Sequence, residues 1–220
     1  HCGTLLMSTF IQKYLDGAKN MKVGVVVKGC DLMSMIELGK RNEINMNNVL
    51  TIGVNCGGSV NPIQARKMIK EKFGVDPDKV TKEEIDKGQF IIEYEGGHKG
   101  IKIDELEEEG YGRRSNCRRC KYKIPRQADL ACGNWGVIGD KAGKATFIEI
   151  CSDKGADIVS KAVSAKKLDT CAAEPKGIEI RGKTEGAMLK LGEKWRKKEF
   201  TALRDNLWDF IKKETSRCIK

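Results

Sequence analysis

Cys117-Arg-Arg-Cys120 is the sharpest chemical signal in this sequence. A C-x2-C turn brings two thiolates within reach of one metal ion or one iron–sulfur cluster, and zinc ribbons, thioredoxin-like motifs and iron–sulfur sites all use it. A zinc ribbon needs a second such pair, which the sequence lacks, and neither His1 nor His98, the two histidines, has ligand spacing to this pair. The thioredoxin-like reading needs the first cysteine to follow a strand and open a helix, and Cys117 does neither. The remaining ligands must come from elsewhere in the chain. Val23–Val27 leads into Lys28, Gly29 and Cys30, and Val49–Val54 leads through Asn55 to Cys56. Each of these cysteines follows an apolar, β-branched run that reads as a buried parallel strand. Cys132, in the turn Ala131-Cys-Gly-Asn-Trp135, is a further candidate that can replace Cys30 or Cys56. Two of these three together with Cys117 and Cys120 make four thiolates, the set a 4Fe-4S cluster requires. Cys151 and Cys171 read as buried small hydrophobes.

The elements that must position these thiols follow from periodicity. The segment 5–15 predicts a helix with Leu6, Phe10, Ile11 and Tyr14 on its apolar face. Asp31 reads as the N-cap of a helix reaching about Arg41, and Pro62 as the first turn of a helix reaching Phe73. Strand, helix, strand, helix is the pattern of a parallel sheet with crossover helices. One strand–helix–strand unit puts both strand ends on the same sheet edge, where ligand sites of open α/β sheets lie. Phe90–Tyr94 and Lys99–Ile103 flank Glu95-Gly96-Gly97-His98 as a hairpin. Residues 110–127 read as a loop, 129–132 and 146–150 as short strands, and 153–165 as a helix. The stretch 167–182 reads as loop, followed by helices over 184–196 and 200–214. The expected fold is thus α/β: a parallel strand–helix–strand core over residues 1–150 with a small hairpin insertion, and a helical C-terminal extension over 151–220. No repeat divides the chain.

The charge is uneven. The 220 residues carry a formal net charge of +10, and between Tyr111 and Gln127 there are seven basic residues and no acidic one. From Lys176 onward 13 basic and seven acidic residues alternate with apolar ones, which is the pattern of solvated helix faces. Two charge readings compete: a nucleic-acid footprint, and the lining of a site for an anionic cofactor. Aromatics make up only 6% of the chain and do not interleave the basic loop as stacking platforms would. With nine cysteines and no secretory signal, the default compartment is a reducing cytosol, where clustered thiols serve metal or redox chemistry. No apolar run is long enough to span a bilayer. The rival readings are a zinc-dependent nucleic-acid-binding module and a non-catalytic electron-relay or docking subunit.

Several stretches together resemble the coenzyme F420 hydrogenase/dehydrogenase beta-subunit family, in its formate dehydrogenase branch. They are Lys28-Gly-Cys-Asp31, Ile52-Gly-Val-Asn-Cys-Gly-Gly58, Lys82-Glu-Glu-Ile-Asp-Lys-Gly88, Ile103-Asp-Glu-Leu-Glu-Glu-Glu-Gly-Tyr-Gly-Arg-Arg114, Asn116-Cys-Arg-Arg-Cys120 and Pro125-Arg-Gln-Ala-Asp-Leu-Ala-Cys-Gly-Asn-Trp-Gly136. The resemblance covers about residues 20–150. It implies a 4Fe-4S cluster on Cys30, Cys56, Cys117 and Cys120, with Cys132 as the alternative ligand. It implies FAD as a second cofactor and coenzyme F420 as substrate, with Lys28, Gly29, Asn55, Gly57, Gly58, Arg113, Arg114 and Arg118 as cofactor-binding residues. The implied activity is electron transfer between an iron–sulfur chain fed by formate oxidation and the deazaflavin. Formate chemistry would sit in a partner alpha subunit, and heterodisulfide reductase subunits are a further implied partner. It also makes this chain an interior stretch of such a subunit. Part of the flavin/iron–sulfur domain then precedes residue 1, and a ferredoxin-like domain, with Cys218 as its first cluster ligand, follows residue 220.

Overall fold

Two β-branched runs, Val23–Lys28 (β1) and Val49–Val54 (β2), pair in parallel in the computed structural model, which describes residues 5–86, 88–209 and 211–212. Cys218 and the last residues of the helix expected over 200–214 lie outside the described residues. The crossover between the two strands is helix α2 (Gly29–Lys40), preceded in the chain by α1 (Met7–Tyr14). Leu130–Gly133 (β6) adds to β2 in parallel and Phe147–Ile150 (β7) closes the sheet antiparallel, in the order β1-β2-β6-β7. Val25, Val27 and Val49 of the sheet bury themselves against Leu32 and Met35 of α2, Ile11 of α1 and Ala128. Each such large side chain removed from water stabilises the fold by roughly 1.5–3 kcal/mol.

A second core lies between β2 and β6 in the chain. Helix α3 (Pro62–Met68), extended by a π turn through Phe73, packs on a three-stranded antiparallel sheet of β3 (Val80–Asp86), β4 (Gln89–Tyr94) and β5 (Gly97–Lys102), with α4 (Ile103–Glu108) alongside. Its centre is Met68, Ile69, Phe73, Phe90, Ile92 and Leu106. The short helix α5 (Ser115–Arg118) follows, and the chain ends in α6 (Asp153–Ser164) and the 31-residue α7 (Pro175–Asp205).

The expected α/β class and its parallel core are therefore present, with four local corrections. Asp31 is not the N-cap of α2. Lys28 is, and the Asp31 carboxylate, buried, accepts from Met7 N at 2.6 Å, Ser8 N at 3.0 Å and Ser8 Oγ at 2.5 Å, capping α1 instead. On α1 only Ile11 of the expected face turns inward; Phe10 and Tyr14 sit at the surface with ring centroids 5.4 Å apart. The hairpin has a third strand, β3, whose lysine and glutamates conceal its alternation. The loop expected through Gly182 ends at Pro175, where one helix begins; it runs through the helix expected over 184–196 and on without a break into the one expected over 200–214, as far as Asp205.

Candidate functional site

β1 and β2 stay in register from Val23 opposite Val49 to Lys28 opposite Val54. Cys30 and Cys56 each lie two residues beyond that last rung, at the carboxyl edge of the sheet. Cys30 is the second residue of α2, where free backbone N–H groups and the helix dipole favour a thiolate. Cys56 is held in an irregular segment: its N–H donates to Lys123 O at 2.9 Å and its thiol lies 3.9 Å from Gly58 O.

The loop from Tyr111 to Gln127 carries the other two thiols to this edge. Cys117 lies in α5, and the Cys120 Sγ accepts from Tyr122 N at 3.4 Å. The loop is pressed onto the sheet at two glycines. A Cβ on Gly29 would stand 2.6 Å from Tyr122 Cβ, and one on Gly53 3.0 Å from Pro125 Cβ. The result is one electrostatic neighbourhood. The Cys30 thiol is pushed above its ordinary value first by burial and then by Cys120, Cys56 and Cys117. Burial likewise pushes Cys56 up, against Gly58 and the cations Lys28 and Lys123. Cys132 stands apart: it is fixed in the ladder opposite Val54 and Ile148, burial pushes its thiol up, and its charged neighbours are Arg181 and Cys151. Among the described residues, no three His, Cys, Asp or Glu side chains converge closely enough to hold a single metal ion.

Lys123 is the feature of this site that sequence reasoning missed. It is 1% exposed, and its Nζ donates to Cys117 O at 3.2 Å. No carboxylate pairs with it among the described residues. Burial pushes its pKa below the ordinary lysine value, while the thiols of Cys120, Cys56 and Cys117 oppose that shift. In the sequence it is one of seven basic residues in a loop, and nothing in that run marks it as one that turns inward without a carboxylate partner.

The structure divides the eight expected cofactor contacts. Arg113 is buried and committed: Nε meets Glu107 Oε1 at 2.6 Å, Nη2 meets Glu107 Oε2 at 3.1 Å and Nη1 meets Gly57 O at 3.2 Å. Arg118 donates from Nε to Arg113 O, from Nη1 to Glu107 O and from Nη2 to Tyr111 O, and stacks 4.9 Å from the Trp195 ring centroid. These two arginines build the loop: each of their three guanidinium nitrogens already donates within the protein. Gly29 makes room for Tyr122, and Gly58, at φ +137°, for the Arg113 side chain. Lys28, Asn55, Gly57 and Arg114 remain. Asn55 lies against Gly133 with its buried Oδ1 unpartnered, and Arg114 has a buried Nε in the same state.

Two more arginines of the loop are also engaged, Arg119 with Glu199 at 2.7 Å and Arg126 with Glu149 at 2.6 Å and Glu185 at 2.8 Å. With Lys123, five of the seven basic residues are thus engaged within the protein, Arg119 and Arg126 of them at the surface.

Helix α7 covers the site, and its role was equally hidden. Gly192 passes the carbonyls of Arg118 and Cys120, where a Cβ would stand 3.3 and 3.4 Å away. Arg196 Nη1 donates to Arg119 O at 2.8 Å. Near its start, buried Arg181 ties the same helix to Ala131 O and Trp135 O and pairs with Glu149. A cavity of about 540 Å³ lies at the β7 side, lined by Val137, Ile138, Phe147, Leu168 and Lys141. Cys171 opens onto it and is exposed, not the buried hydrophobe expected; Lys141 Nζ lies 3.4 Å from its sulfur.

Residues 20–176 match the family model that describes the C terminus of the beta subunit of coenzyme F420 hydrogenase/dehydrogenase. Over its whole length the chain is 47% identical to the F420-dependent formate dehydrogenase 1 subunit beta of Methanococcus maripaludis, and 47% identical to the F420-dependent formate dehydrogenase subunit beta of Methanocaldococcus jannaschii. It spans 56% of the length of each of these relatives. A chain of the F420-reducing NiFe hydrogenase complex from Methanosarcina barkeri superposes with a TM-score of 0.63 at 22% identity, over 82% of this chain and 64% of that one, a likeness of fold.

Proposed function

This chain belongs to the coenzyme F420 hydrogenase/dehydrogenase beta-subunit family, and on that premise we propose that it is the electron-relaying part of a formate dehydrogenase beta subunit. It passes electrons between formate oxidation and coenzyme F420 through a 4Fe-4S cluster and FAD. The observation that carries this reading is the meeting of Cys30, Cys56, Cys117 and Cys120 at one sheet edge, delivered by two strand ends and a docked loop. The four thiols are neighbours without converging on one point. That arrangement suits a polynuclear cluster, which spreads its ligands farther apart than one tetrahedral ion does. The donor set is soft, and the buried Lys123 cation calls for an anion in the space it faces.

When bound, the cluster would supply single electrons, and the flavin would pair two of them with a proton as the hydride that a deazaflavin accepts. The chain's own residues hold and shield. The α2 N-terminus favours the Cys30 thiolate, Tyr122 N–H fixes the Cys120 sulfur, and Gly192 with Trp195 closes α7 over the loop. Lys28, Asn55, Gly57 and Arg114 are the residues left to hold the flavin or the deazaflavin, since the chain itself occupies Gly29, Gly58, Arg113 and Arg118. Among the described residues, those up to 150 form the site and α7 its cover. A formate-oxidising alpha subunit is the partner, heterodisulfide reductase subunits are a further one, and the reducing cytosol is the compartment. Among the described residues no helix is long and apolar enough to cross a membrane.

The test is metal and flavin content of the full-length subunit purified without oxygen. About four irons per chain with broad visible absorbance are expected. Yellow FAD should co-purify and be bleached by reduced coenzyme F420. Stoichiometric zinc without iron would refute the reading, and iron without flavin would reduce the chain to a one-electron relay.

A further inference from the structure

Three cations are buried among the described residues, and two of them are neutralised. Arg113 has Glu107 at 2.6 Å and Arg181 has Glu149 at 3.3 Å. The third, Lys123, has a single carbonyl, that of Cys117. Burying a cation costs far more than one hydrogen bond to a carbonyl returns, so a lysine in such a place needs an anion nearby. The buried carboxylates are already committed, Asp31 to the start of α1 and Glu107 to Arg113. The anion-forming groups near it are sulfur, the thiols of Cys120, Cys56 and Cys117, while the one cation that acts on it, Arg113, is itself neutralised by Glu107.

The backbone explains how it comes to lie there. Lys123 O accepts from Cys56 N at 2.9 Å, which pins the residue beside the strand-end ligand. Its side chain then reaches Cys117 O at 3.2 Å, across to the C-x2-C turn. The ammonium therefore lies between the two ligand-bearing segments. Of the other cations of the loop, Arg119 and Arg126 pair with Glu199 and Glu149 at the surface, and Arg113, which does reach this space, is neutralised by Glu107.

We propose that Lys123 is the internal counter-ion of the four-cysteine centre and the positioning residue that holds its reduction potential up. The inference rests on the iron–sulfur reading above. One-electron reduction adds one negative charge to the centre, with no bond made or broken and no proton required. A fixed cation beside the centre stabilises the reduced form over the oxidised one. The same charge has no counter-ion once the metal is gone and the thiols are protonated, so it should weigh against the empty chain.

The experiment compares wild type, Lys123→Met and Lys123→Gln in the full-length subunit, iron-loaded and iron-stripped. Gln keeps a donor for Cys117 O without the charge. Midpoint potential is read by dithionite titration with visible and EPR detection, and thermal midpoint by circular dichroism. Both variants should shift the potential of the loaded protein downward by similar amounts. In the stripped protein, Lys123→Met should melt higher than wild type. An unchanged potential in iron-loaded variants would overturn the proposal, as would a wild-type potential in Lys123→Gln alone. So would a stripped Lys123→Met that melts lower than wild type, or failure of both variants to fold, since each would make the lysine a structural tie to Cys117. Wild type without iron would instead remove the iron–sulfur reading, and this proposal with it.

Discussion

Glu107→Gln isolates the part of the site that is pure architecture. The carboxylate is 0% exposed and its partner Arg113 1% exposed, with contacts of 2.6 Å and 3.1 Å. The substitution keeps size and shape but leaves the Arg113 guanidinium buried without an anion. Removing one partner of a buried, well-formed pair costs about 3–5 kcal/mol. In a chain of this size each kcal/mol moves the melting midpoint by about 2–4 °C, so a fall of roughly 6–20 °C is expected. The damage should also reach the cysteines, because Arg113 donates to Gly57 O, receives Arg118 through its own carbonyl, and packs on Gly58 next to Cys117. Chemical denaturation with circular dichroism gives the stability, and iron per folded chain after anaerobic purification gives the second effect. A double change, Glu107→Leu with Arg113→Met, should recover much of the lost stability, since it removes both charges together. A loss below about 1 kcal/mol for Glu107→Gln would put the pair in the class of exposed salt bridges and refute the reasoning.

Other outcomes follow from the same geometry. Gly58→Ala forces a side chain into φ +137° and onto Arg113, and should cost about 1–3 kcal/mol in urea melts, with iron lost in proportion. Cys117→Ser should abolish iron binding while Cys132→Ser retains it, as measured by iron content; loss of iron from Cys132→Ser would overturn the ligand assignment. Asp129 joins β6 to β2 and α6. Burial alone would raise its pKa, but bonds from Ser152 and Thr51 hold it below the ordinary carboxylate value. A depressed folded pKa means its contribution is present above about pH 4, the unfolded value, and lost as pH falls through the lower folded one. Asp129→Asn should therefore weaken the protein at pH 7 and make its stability less sensitive to acid below about pH 4, in melts at stepped pH.

What could be read from the sequence was what local chemistry decides. The runs at Val23 and Val49 had one use, as buried parallel strands, and their ends located Cys30 and Cys56. The C-x2-C turn located the other pair. The rest was hidden where residue type and local position do not say which partner a side chain takes. Asp31 sits at a helix start, so it reads as that helix's cap, yet its carboxylate serves Met7 and Ser8 on another helix. Arg113 and Arg118 look like phosphate ligands in a basic run, but their donors meet Glu107 and nearby carbonyls. Gly177, Gly182, Gly186 and Gly192 lower helix propensity and concealed the continuity of α7. Pro175 at its first turn and Gly192 at its closest approach nonetheless both have positional reasons.

That helix also sets an order of events. At 31 residues α7 is about 46 Å long, and it touches β6 at one end and the cysteine turn farther along. All four candidate sulfur ligands precede it in the chain. During synthesis Cys30, Cys56, Cys117 and Cys120 leave the ribosome before the residues that roof them, Gly192, Trp195 and Arg196, have been joined. The four thiols therefore stay uncovered for at least as long as roughly 70 more residues take to be joined, about 4–14 s at ordinary elongation rates.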